Sequence, residues 1–202
     1  MKLAAIPKLA RIQVTGTWYR ALEPQFATSP LSAKHTGGVF SRFSPGKYSL
    51  VEFEILHLSE TQFVCLLEVE ALLGSKFTHV PNPGRSWLLT NVQIQLQSVV
   101  DLTSYAVQRR LGTTVQELTG DWEGYRDRAS FSSVTEPTGI APTQKLGQAI
   151  YEVPGLEGIR YVSAKVPDQM NLVIFPAKLL KGSHLTYYDP ATGKTHRANG
   201  MK

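Results

Sequence analysis

Hydrophobic and polar residues alternate most cleanly where Val92, Ile94 and Leu96 are interleaved with Gln93, Gln95 and Gln97. This is the period-two pattern of a strand with one buried face. Ile12, Val14, Trp18, Tyr19 and Leu22 predict an earlier strand over residues 12–22. Val51, Phe53 and Ile55, alternating with Glu52, Glu54 and Leu56, predict another half-buried strand. Residues 23–49 between them are rich in Pro, Ser and Gly and predict a long loop, of a length that compact domains usually keep for function. Ser59-Glu60-Thr61-Gln62 has the form of a capping box, so a helix is predicted over 60–73, ended by Gly74. It is apolar on more than one face and is expected to be buried.

Residues 75–86 read as a loop around Pro81-Asn82-Pro83-Gly84. Helices are predicted over 103–111, with Gly112 as the stop, and over 143–152. Strands are predicted over 158–162, 171–175 and 184–188, followed by a turn at Asp189-Pro190-Ala191-Thr192-Gly193 and a frayed tail. Residues 113–142 mix aromatics, Pro and Gly without a clear period. Strands flanking a helical middle predict the α+β class.

At 202 residues the chain suits one domain spanning 1–202, with a core over about 12–188 and a C-terminal tail at 189–202. Apolar residues at 42% and charged residues at 18% exclude wholesale disorder. No apolar run reaches the roughly 18 residues of a membrane helix. The apolar stretch near the N-terminus is short and broken by Pro7, unlike a signal-peptide core. A cytoplasmic protein without membrane contact is expected. The lone Cys65 allows no internal disulfide, and within Phe63-Val64-Cys65-Leu66-Leu67 it reads as a buried thiol. The five histidines lack metal-ligand spacing, so no metal is expected. The net charge of +5 admits a polyanion partner, but the positive residues are scattered and Arg109–Arg110 is the notable doublet, as on many ordinary solvated surfaces.

Four residues stand out for chemistry. Glu68 interrupts an apolar helical stretch, and burying a carboxylate there costs several kcal/mol unless it is paired or neutral. It reads either as a functional acid or as one half of a salt bridge with a nearby Arg or Lys. Arg20 ends the first strand after Trp18-Tyr19, and Arg42 lies in the glycine-bearing loop. Each could hold an anion such as phosphate, or could be a surface charge; neither the P-loop nor the Rossmann spacing is present. Ser163 closes a strand without a nucleophile elbow, so it reads as a ligand-orienting hydroxyl or a turn cap.

The order of these segments resembles the RES domain family, named for its Arg, Glu and Ser. Trp18-Tyr19-Arg20-Ala21 is similar to its first arginine motif and Ser41-Arg42-Phe43-Ser44-Pro45-Gly46 to its second. Ile55-Leu56-His57-Leu58-Ser59-Glu60 with Cys65-Leu66-Leu67-Glu68-Val69 resembles the glutamate unit. Val99-Val100-Asp101-Leu102 and Thr143-Gln144-Lys145-Leu146-Gly147 resemble later segments. Gly158-Ile159-Arg160-Tyr161-Val162-Ser163 and Asn171-Leu172-Val173-Ile174-Phe175 resemble the serine motif and its closing strand. Two departures are visible: His57 stands where the family carries a tyrosine, and Val39 follows Gly37-Gly38 where many members place arginine.

The resemblance implies an ADP-ribosyltransferase-like fold, with small, mostly antiparallel sheets and helices packed around an NAD cleft. It implies the toxin of a bacterial toxin–antitoxin pair, with NAD as substrate and no metal. The activity implied is that of an NAD glycohydrolase or phosphorylase breaking the nicotinamide–ribose bond. Alternatives are an ADP-ribosyltransferase acting on a protein or metabolite, and a catalytically inactive binding module. The implied partner is an antitoxin with an Xre-like helix-turn-helix domain that covers the active site, so nucleic acid is reached only through it. Glu68, Arg20 and Ser163 take the catalytic positions. Arg20, Arg42, His57, Tyr19 and Ser163 take the NAD-binding ones. Within them, Arg20 and Arg42 would clamp the pyrophosphate, Ser163 would bond a ribose or Glu68, and His57 would stack near nicotinamide or serve as a core residue.

Overall fold

A computed structural model describes residues 1–36, 39–46, 51–125 and 139–200. The described elements run β1 (Arg11–Leu22), β2 (Leu56–Ser59), α1 (Gln62–Glu68), β3 (Leu72–Gly74), β4 (His79–Pro81), β5 (Leu88–Asp101), α2 (Tyr105–Leu111) and α3 (Val115–Thr119). They continue with α4 (Pro142–Glu152), β6 (Gly158–Val162), β7 (Met170–Ile174), β8 (His184–Asp189) and β9 (Lys194–Asn199).

β5 organises the main sheet. One of its edges pairs with β1 antiparallel along the length of both, from Arg11↔Val100 to Leu22↔Leu88. The other edge is shared in succession: Gln93–Gln95 pair with β8, and Val99–Asp101 pair with β6 in parallel. The sheet order is β1-β2-β7-β6-β5-β8-β9, and the β1–β5 pairing closes its first five strands into a circuit, with β8–β9 as a wing. Apart from β5–β6, the pairings are antiparallel.

Two buried clusters follow from strand alternation. Leu172 and Ile174 of β7 join Val14, Trp18, Leu58, Val92 and Ile94. Val173 joins Phe43, Phe53, Leu111, Leu146, Ile150 and Phe175 on the side covered by α2 and α4. β7 is therefore apolar on both faces, as a central strand should be.

Between its two partners on one edge, β5 has backbone groups with no strand to meet. Glu157 fills this fork. Its fully buried carboxylate accepts the Gln97 and Ser98 N–H groups on Oε2 (2.7 and 2.8 Å) and the Leu180 N–H on Oε1 (2.8 Å). Its own backbone N–H donates to Ser98 O (2.9 Å) and its carbonyl accepts from Phe175 N (2.8 Å). One side chain thus satisfies three backbone donors, of which the buried Ser98 N–H alone would otherwise cost on the order of 1–3 kcal/mol.

The mixed architecture of sheets with few helices matches the expectation, as do the strands near 12–22, 92–96, 158–162, 171–175 and 184–188 and the helices near 103–111 and 143–152. Gly112 caps α2 in the left-handed region, at φ +65°. Three expectations are corrected. The strand expected over 51–56 begins only at Leu56, because the Thr36 hydroxyl takes both the N–H and the C=O of Ile55. The helix expected over 60–73 spans Gln62–Glu68, with Thr61 as the N-cap accepting from Val64 N (3.3 Å). Ser59 is unavailable as a cap because it bonds Asn171, and Glu70 turns the chain at φ +58° into the β3–β4 hairpin. The C-terminal tail is not frayed: β9 pairs with β8 from His184↔Asn199 to Asp189↔Lys194. Residues 37–38 and 47–49 of the loop expected at 23–49, and residues 126–138 of the stretch without a clear period, lie outside the described residues. No helix among the described residues is long and apolar enough to cross a membrane.

Replacing Glu157 by Gln keeps the shape but turns an amide donor toward a backbone donor. Glu157→Gln is expected to lose about 2–4 kcal/mol of unfolding free energy, read by urea denaturation, with the m-value unchanged.

Candidate functional site

A cleft of about 600 Å³ opens between the end of α1, strand β2, the Ser41–Arg42 loop and the chain that follows α3. Its lining includes Arg20, Arg42, His57, Ser59, Glu68, Tyr161, Lys165 and Asn171, with the run from Thr119 to Glu123 along one side.

Glu68 is the last residue of α1. A carboxylate at a helix C-terminus gains nothing from the backbone dipoles there. Its support comes instead from two neutral donors, Ser163 Oγ and the Asn171 amide, each 2.6 Å from Oε1. Among the described residues Oε2 takes no hydrogen bond. The salt-bridge reading of Glu68 is therefore replaced by a hydroxyl–amide cradle. Ser163 is fully buried, and its oxygen accepts from Lys165 N (3.1 Å) and Val166 N (3.0 Å). With both lone pairs used, its single proton is directed at Glu68.

Arg42 is held from both sides. Gln144, buried at the start of α4, donates to Ser41 O (2.9 Å) and Ser44 O (3.2 Å). Phe43 is fully buried and meets Tyr161 edge-on, with ring centroids 4.7 Å apart. Gly147 lets α4 lie against this loop: a Cβ there would stand 2.0 Å from Phe43 O. Arg42 Nη1 donates to Leu118 O (3.0 Å) and Gly120 O (2.7 Å), carbonyls at the end of α3. Burial lowers the Arg42 pKa from its ordinary value, opposed by Tyr161, Glu68, Glu123 and Asp121.

Arg20 is buried, and its Nη1 donates to Pro30 O and Ser32 O. It ties the described part of the 23–49 loop to β1. Burial brings its pKa down to about 10, which leaves it cationic at neutral pH. His57 is open to the cleft but walled in by protein. That burial, followed by the charges of Arg20 and Arg42, lowers its pKa to about 4, so the ring is neutral at neutral pH. Burial, and then Glu68, push the Tyr161 hydroxyl above its ordinary pKa, so it stays protonated. Cys65 is buried, as its apolar setting implied, and burial raises its thiol to about 12, far from a nucleophile.

The cleft thus brings together Arg20, Arg42, His57 and Glu68. Ser163 lies beneath Glu68 rather than on the lining, and Tyr19 is half-buried outside the lining, its backbone paired with Ser59. Asn171 and Tyr161 line the cleft and were not singled out from the sequence. A polar Asn171 inside the apolar run Met170–Ile174 was the available signal. Among the described residues no group of three or more His, Cys, Asp or Glu could hold a metal.

A family model described as RES domain matches residues 17–190. No curated protein matches the sequence. A chain in the crystal structure of the M. tuberculosis MbcT–MbcA toxin–antitoxin complex is similar in fold, with a TM-score of 0.54. It is 17% identical, over 85% of this chain and 80% of that one.

Two outcomes test this geometry. Gly147→Ala is expected to cost about 1–3 kcal/mol of stability through overpacking against Phe43, read by urea denaturation. His57 gains its proton at about pH 4 when folded, against 6.5 for the ordinary residue. As pH falls through that window the unfolded chain binds a proton that the folded chain does not, so stability declines. The urea midpoint of His57→Gln is expected to drop less than that of the parent between about pH 7 and about pH 4.5.

Proposed function

The chain belongs to the RES domain family, and from that premise we propose that it is the toxin of a bacterial toxin–antitoxin pair, an enzyme that cleaves the nicotinamide–ribose bond of NAD. The observation that carries this reading is a carboxylate, Glu68, held by neutral donors in the same cleft as two buried-stem arginines. The cleft volume falls within the range of about 300–1,000 Å³ usual for small-molecule sites. The largely antiparallel sheet, with the cleft lined by neighbouring strands β2, β7 and β6, supports an ADP-ribosyltransferase-like description of the fold.

The chemistry follows from the charges. As the glycosidic bond breaks, its electron pair passes to the nicotinamide nitrogen and neutralises the pyridinium. Positive charge grows on the ribose, and nicotinamide leaves as a neutral base, so no strong general acid is required. Glu68 stabilises the oxocarbenium-like centre or holds a ribose hydroxyl through Oε2. Ser163 acts through Glu68 as a positioning residue. Arg42 spends Nη1 on two carbonyls and keeps its other three N–H donors for the pyrophosphate. Arg20 adds its charge from the buried side of the same cleft. A neutral His57 offers the nicotinamide a flat ring without adding a cation beside a departing pyridinium. Water or phosphate then adds to the ribose carbon and releases a proton.

In this reading NAD is the substrate, the antitoxin is a helix-turn-helix protein that covers the cleft, and the protein acts in the cytoplasm as a single domain. The MbcT–MbcA complex supports an antitoxin partner, as a fold relative that is itself part of a toxin–antitoxin assembly.

Nicotinamide release from NAD by the purified protein is expected, and Glu68→Gln is expected to lower turnover at least about a hundredfold, corresponding to about 3 kcal/mol. Near-normal turnover in folded Glu68→Gln would overturn the assignment of Glu68. Dependence on added phosphate separates phosphorolysis from hydrolysis, and label from NAD appearing on protein would point to transfer instead.

A further inference from the structure

We infer that Asn171 is a positioning residue that fixes the Glu68 carboxylate for turnover, an inference that rests on the NAD-cleaving reading of the same site. Asn171 on β7 is the direct cross-strand partner of Ser59 on β2 and of Tyr161 on β6. The three residues form one polar row across the sheet, and all three line the cleft. Directly paired residues on neighbouring strands share a face and lie close enough for their side chains to interact.

The row leaves the amide one orientation. The Ser59 hydroxyl donates to Asn171 Oδ1 at 2.7 Å. That sets Nδ2 toward Glu68 Oε1 at 2.6 Å. Turning the amide over would press Oδ1 against the carboxylate, losing the bond to Oε1 and reversing the one to Ser59. Asn171 is itself buried, so no solvent replaces the lost bond. Oε1 therefore meets two donors whose directions are set elsewhere, Ser163 by its backbone contacts and Asn171 by Ser59. The carboxylate torsion is set before substrate arrives, and Oε2 remains for the ribose.

The test compares Asn171→Ala and Asn171→Asp with the parent in nicotinamide release, with thermal unfolding to establish that each variant is folded. Asn171→Ala is expected to lower kcat by about 10- to 100-fold while KM for NAD stays within about threefold. Asn171→Asp places a second carboxyl against Glu68. With one shared proton the pair carries a single negative charge and keeps a donor on Oε1. When that proton leaves, the two carboxylates repel. The kcat of Asn171→Asp is therefore expected to fall as pH rises, in a step absent from the parent. Unchanged kcat in Asn171→Ala, or a pH profile for Asn171→Asp parallel to the parent, would overturn the inference. If the parent itself releases no nicotinamide, the NAD reading falls separately, and a crystal structure of Asn171→Ala decides the positioning role. Glu68 swung away from Ser163 would support it, and Glu68 unmoved would overturn it.

Discussion

β5 serves three neighbouring strands with two edges, and that is possible only because Glu157 occupies the gap where two of those neighbours part. A fork in a sheet normally leaves buried amides unpaired, an arrangement that folding does not tolerate. Here a single acidic side chain, taken out of water, accepts the Gln97 and Ser98 amides of the fork and the Leu180 amide beside them. Its backbone meanwhile binds Ser98 and Phe175, so the same residue sets the starting points of β6 and the end of β7. The bidentate Arg160–Asp101 pair, at 2.6 and 3.2 Å, closes the far side of the β5–β6 junction.

The site inherits this arrangement. β6 leads from the fork to Ser163, and β7 brings Asn171 back between Ser59 and Tyr161. Glu68 arrives from a different direction, on a short helix, and meets the two strands through hydrogen bonds to Oε1. Its geometry therefore reports the register of β6 against β7. Slipping that register by one residue would turn one of the two partners to the other face.

Much of the fold was legible in local pattern, where one residue's environment depends on its near neighbours. Alternation found β5, and Gly112 marked the end of α2. Patterning failed where a distant group took over a local role. Ser59 heads a sequence that reads as a capping box, yet its hydroxyl serves Asn171, and the cap passes to Thr61. Thr36 took the backbone of Ile55 out of the sheet. Of the site, Arg20, Arg42, Glu68 and Ser163 were visible as charged or hydroxyl residues in apolar company, and the resemblance to a family arranged them. Asn171 and Tyr161 were not, because their part depends on which strands are adjacent. Nothing in β6 or β7 alone says that Ser59 stands beside them. Tyr19, read as part of the first arginine motif, lies outside the cleft lining.

The anchoring of Arg42 has a further consequence. A free arginine side chain loses up to about 1.5–2 kcal/mol of rotamer entropy when it is immobilised. In this protein the immobilisation belongs to folding, through Gln144, Gly147 and the α3 carbonyls, so an incoming anion meets a cation that is already still. Affinity at the cleft is then thermodynamically linked to the docking of α4, some distance along the chain. An anion bound there holds α4 in place, and anything that loosens α4 weakens the anion's hold by the same free energy.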